Sequence, residues 1–155
     1  MARVQSQYQA QFDILSKEGQ AEFQFVDYDP PAFVIIGKQV ALQMTLRNTL
    51  RFDIEKSSIY KRAAQTFDLF LAPKLKDVLE KIPNDNAIAL YDFSVVNLLT
   101  SSMGAKERSE AVEFILPAAL ARQFADNEIT NQALIDKSQV LLNGVCIALN
   151  LQLVE

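Results

Sequence analysis

Five polar residues have types and spacings that could do chemistry: Asp27, Asp29, Ser58, Lys61 and Asp92. Asp27 and Asp29 flank Tyr28, and two carboxylates at that spacing could share a hard cation such as Mg²⁺ or Mn²⁺. Pro30 and Pro31 follow directly, and aspartate before proline is a common turn former. Turn chemistry is therefore the first expectation for this pair and metal binding the second. Ser58-Ile59-Tyr60-Lys61 has the S-x-x-K spacing, in which a lysine one helical turn on could take the proton of a serine. The companion K-T-G and S-D-N elements are missing, and a helix N-cap explains the same serine. Asp92 stands between Tyr91 and Phe93 in an apolar run, where burial would raise its pKa and suit it to acid or base work. No second group can be matched to it from the sequence.

The absences narrow the chemistry further. Histidine does not occur, which removes the commonest general base and transition-metal ligand from this chain. The single cysteine, Cys146, allows no intrachain disulfide and no common zinc site, and it has no neighbouring cation to activate it. Its simplest reading is a small buried hydrophobe. Gly19, Gly37, Gly104 and Gly144 are too scattered to cradle a phosphate. No cofactor is therefore expected.

A net charge of −4 with interspersed acids and bases focuses no strong field on nucleic acid. The densest basic group, Arg47, Arg51, Lys56, Lys61 and Arg62, reads as a solvated face. No apolar run is long enough for a membrane span, and the residues after Met1 lack a signal-peptide core. The expected location is cytoplasmic if Met1 is the native start, and exported or in the cell envelope if the chain is an excised domain.

Stepping from these residues to the elements that must hold them, the length of 155 residues, half of them hydrophobic, suits one α+β domain spanning 1–155. Tyr8, Ala10, Phe12 and Ile14 alternate with Gln7, Gln9, Gln11 and Asp13, which predicts a strand returning through Ala21, Phe23 and Phe25 as a hairpin. Ala32 to Ile36 forms a short strand. From Val40 to Ile54 the apolar residues fall on alternate positions with Asn48 as the one exception, predicting a long strand that bends near Asn48. Its polar second face favours antiparallel pairing.

From Ser58 the period becomes helical. Ile59, Ala63, Phe67, Phe70 and Leu71 form one apolar group, and Leu75, Val78, Leu79 and Ile82 form another about a quarter turn away. Pro73 lies at the join, which predicts a kinked or paired helix over about 58–82. Further strands are expected over 87–99, 110–116 and 140–147, with short helices near 118–126 and 131–138. Asn143-Gly144 predicts a type I′ turn pairing Leu142 with Val145 and Val140 with Ile147. The sum is a mainly antiparallel, twisted sheet of hairpins with about six to eight strands, packed by that central helix.

A well-specified sheet without a catalytic set points first to a binding or assembly domain. Its expected contact is the polar row Gln7, Gln9, Gln11 and Asp13 of the N-terminal strand, which lacks edge-blocking lysines and prolines and could pair two copies into a homodimer. A carrier of a small apolar ligand or lipid is the alternative, with Phe52, Phe67, Phe70 and Phe93 walling a pocket. A histidine-free enzyme built on Asp27, Asp29 and Asp92 is the third.

Overall fold

The computed structural model describes Ser6, residues 8–10, Asp13, Val26 and residues 30–82, 84–101 and 108–151. Six strands there form one sheet in the order β1-β2-β3-β4-β5-β6: Ala32–Ile36, Gln39–Asp53, Leu90–Thr100, Arg108–Pro117, Gln139–Leu142 and Val145–Ile147. The fold is α+β and the sheet mainly antiparallel, as its hairpins predict.

The central pair is the exception. β2 and β3 run parallel, against the antiparallel expectation drawn from the polar face of β2. The connection decides this. A helical path of 23 residues links them, comprising α1 (Ile59–Gln65), a π-helical segment (Thr66–Leu71) and α2 (Ala72–Lys81). A crossover of that length returns the chain to the end from which β2 started.

The same helix resolves the quarter-turn offset. Within the π segment the Ala72 N–H bonds to the Phe67 carbonyl, a step of five residues rather than four. One extra residue shifts the helical phase by about 100°. That is the offset between the two apolar groups, so Ala63, Phe67, Phe70 and Leu71 face the sheet together with Leu75, Val78 and Leu79. The wide turn stands directly before Pro73, whose missing N–H makes a regular ladder impossible there.

Ser58 caps α1 through its Oγ, which accepts the Lys61 N–H at 3.1 Å. Arg122 of α3 (Ala118–Ala125) donates to the carbonyls of Leu79 and Ile82, placing a cation on the C-terminal end of α2. Thr130 caps α4 (Asn131–Asp136) by accepting the Ala133 N–H.

The core lies between the helices and one face of the sheet, in registered rows. Leu42, Tyr91 and Leu116 form one row; Met44, Phe93, Phe114 and Val140 the next; Leu46, Val95, Val112 and Leu142 a third. Phe67 enters from above, 5.5 Å from Phe114 and 6.1 Å from Phe124 between ring centres. At the far end Asn143 and Gly144 adopt φ of 49° and 83°, and the predicted hairpin register holds. Asn143 also accepts the Ala111 N–H through Oδ1, lengthening the β4 ladder by one bond.

The predicted N-terminal strand is corrected. Ser6, Gln9, Ala10 and Asp13 are helical, and the Gln9 side chain donates to Asp13 four residues on. Glutamine and alanine are good helix formers, and that preference outweighs an alternation only eight residues long. The return strand expected through Ala21, Phe23 and Phe25 lies outside the described residues. No helix among the described residues is long and apolar enough to cross a membrane.

Candidate functional site

Two clusters of polar side chains, one buried throughout and one centred on a buried aspartate, lie along β3 and β4, one on each face of the sheet.

The first lies under the helix, where the apolar rows end. β2 shifts register between Arg47 and Arg51, the bend expected near Asn48. Asn48, Asn97, Thr66, Arg62 and Glu110 are all buried there. Asn48 Nδ2 donates to Asn97 Oδ1 at 2.7 Å, and Asn97 Nδ2 donates to Thr66 Oγ1 at 2.9 Å. The Thr66 hydroxyl donates to the Arg62 carbonyl, and the Arg62 guanidinium grips both Glu110 carboxylate oxygens at 3.0 and 2.9 Å. Its remaining arm donates to the Ser57 carbonyl at 2.7 Å. Each side chain meets a complementary group, so the cluster has a structural character.

The second cluster lies on the opposite face. Asp92 is fully buried, and Gln43 Nε2 donates to its Oδ2 at 3.0 Å. Its Oδ1 has no hydrogen-bond partner among the described residues. Glu113 occupies the same face of β4, one diagonal step from Asp92, because Asp92 pairs with Ile115 and Ser94 pairs with Glu113. The Glu113 pKa is pushed up to about 7, by burial first and then by the hydrogen bond to, and negative charge of, Asp92. Two carboxylates bring no hydrogen when both are ionised, which explains the unpartnered oxygen. The arrangement can hold a proton at near-neutral pH, the basic requirement of an acid–base group. Among the described residues no group of three or more acids or cysteines could hold a metal ion.

Asp92 is buried, as its apolar neighbours suggest, and its partner is Glu113, which sequence reasoning missed. Asp27 and Asp29 lie outside the described residues. Ser58 is engaged as a cap and Lys61 is half-buried. Arg62 corrects the reading of the basic group as a solvated face: Arg47, Arg51 and Lys56 are exposed, but Arg62 is buried against Glu110. Cys146 is exposed rather than buried, on β6, the outermost strand on its side among the described residues.

Phe67, Phe70 and Phe93 belong to the main buried cluster, while Phe52 is buried outside it. A cleft of about 370 Å³ opens instead beside Asn84, Asp85, Tyr91 and Arg122. Three of its polar side chains are engaged: Asp85 accepts from Tyr8 and from the Ala87 N–H, and Arg122 donates to the Tyr91 hydroxyl at 3.0 Å. Burial raises the Tyr91 pKa, and the Arg122 charge and hydrogen bond oppose it. Of the proposed contact row, Gln9 and Asp13 are exposed and helical, and Gln7 and Gln11 lie outside the described residues.

No family model, no curated protein and no solved structure matches the chain.

Proposed function

We propose that this chain is a binding or assembly domain that pairs with a second copy of itself by strand addition along β1. One observation carries the reading. Ile35 is 50% exposed on a strand that is outermost among the described residues. β1 reads Ala-Phe-Val-Ile-Ile, with no charge and no proline inside it, so two of the usual devices that block edge pairing are missing from the strand itself. An antiparallel match of β1 with its own copy about Val34 sets Ile35 opposite Phe33 of the second copy and brings no like charges together. At the other edge β6 has only three residues, which gives a partner strand little to bond.

Sedimentation velocity over a wide concentration range tests this. The native chain should show a reversible dimer. Ile35→Lys should remain monomeric with unchanged thermal stability, because this side chain is half outside the fold already. A native chain that stays monomeric at the highest concentration, or an Ile35→Lys chain that still dimerises, defeats the proposal. Oxidation separates the two edges: Cys146 lies on β6, so a dimer that cross-links readily through Cys146 is joined at the wrong side.

A further inference from the structure

We propose that Asp92 and Glu113 hold one proton between them, and that this proton is the hydrogen-bond donor which completes the second face of the sheet. The face is then fully bonded when the pair carries one negative charge and repels itself when the pair carries two. This device is independent of strand addition at β1.

The geometry supplies the argument. Asp92 is wholly buried and has one oxygen without a donor among the described residues, an arrangement that costs a folded protein far more than a neutral buried group would. The rows on this face show what surrounds it. Gln139, Ile115, Asp92, Gln43 and Ala32 form one row across β5, β4, β3, β2 and β1. Cys146, Leu141, Glu113, Ser94 and Thr45 form the adjacent one, across β6 to β2. In these two rows Glu113 is the only acid beside Asp92, and no lysine or arginine stands among them. Arg47 and Arg51 share the face but lie further along β2 and are exposed. The Cys146 thiol is two strands from Glu113 and open to solvent. The Ser94 and Thr45 hydroxyls share the adjacent row, but neither titrates; among the described residues Glu113, which hydrogen-bonds to Asp92, is the titratable donor beside the orphan oxygen.

The direction of the pH effect follows. In the unfolded chain Glu113 releases its proton near 4.5, whereas in the fold it keeps it to about 7. Between those values the folded state holds more protons, so stability falls as pH rises. The contribution is fully present below 4.5 and is lost as pH passes about 7. One proton can raise the unfolding constant by at most about tenfold per pH unit, and half-exposure of Glu113 reduces this to several-fold.

Urea unfolding of the native chain and of Glu113→Gln, from about pH 5 to about pH 8, reads this difference directly. The glutamine amide supplies the donor permanently. Relative to that variant, the native unfolding constant should rise several-fold per pH unit, and at the upper end the variant should be the more stable protein. Equal slopes, or a variant less stable at every pH, overturn the proposal. A carboxyl-carbon NMR titration gives a second reading: the Glu113 midpoint should lie well above 4.5 in the native chain and fall toward it in Asp92→Asn. A native midpoint at the unfolded value also overturns the proposal. So does stabilisation of the native chain, but not of Glu113→Gln, by added Mg²⁺ or Ca²⁺, since a cation rather than a proton would then fill the gap.

Discussion

The two polar clusters use the same strands, yet they are built in opposite ways. Under the helix, Asn97 of β3 pairs directly with Glu110 of β4, and every charge there faces an opposite charge or a dipole. Across the sheet, Asp92 and Glu113 set two acids side by side with Gln43 as the donor between β2 and β3. The first cluster fastens the helix to the end of the sheet, where the apolar rows run out and β2 bends. The second fastens nothing fully, because one oxygen waits for a proton. Burial alone therefore does not separate structural polar groups from titratable ones. What separates them is whether donors and acceptors balance without help from solvent.

The largest expected effect comes from breaking the balanced side. Glu110→Ala leaves the Arg62 guanidinium buried at 6% exposure with only the Ser57 carbonyl to bond. Removing one member of a buried pair costs about 3–5 kcal/mol, so urea unfolding should show a loss of that order. A loss below about 1 kcal/mol would mean that water reaches the site and that the pair behaves as a surface one. Next comes the unbalanced side. Gln43→Leu removes the donor to Asp92 Oδ2 and leaves both oxygens dependent on one proton. The expected loss is about 1–3 kcal/mol. It should be larger above pH 7 than below, because the shared proton is gone there. A loss independent of pH would separate Gln43 from the Asp92–Glu113 pair.

This contrast was only half legible in the sequence. The alternation in β2, the Asn143-Gly144 turn and the capping serine are local signals, and each appears where local rules put it. Asn48 looked like a flaw in an apolar series because its partners, Asn97 and Thr66, lie in other elements. The phase offset in the helix was visible, but a π turn and a kink predict the same offset, and only the backbone distinguishes them. Parallel pairing of β2 with β3 depends on where a long helix returns the chain, which no window of residues reveals. Glu113 could have been found. Once β3 and β4 are taken as an antiparallel hairpin with Asp92 opposite Ile115, parity puts Glu113 on the same face as Asp92. The N-terminal segment misled because a period of two and the helix preference of glutamine and alanine occupy the same residues.

The smallest effect sharpens the comparison most, since it alters one bond and almost no shape. Thr66→Val keeps the branched side chain in the π segment but removes Oγ1. The Arg62 carbonyl still accepts the Thr66 backbone N–H, so the group left without a partner is Asn97 Nδ2. One neutral donor orphaned in the interior costs about 1–2 kcal/mol. No acid or base is touched, so the loss should be the same at about pH 5 and about pH 8, in contrast to Gln43→Leu. If Thr66→Val instead shows the pH dependence predicted for the other face, the two clusters communicate through β3. Their separate descriptions as lock and proton store would then have to be merged.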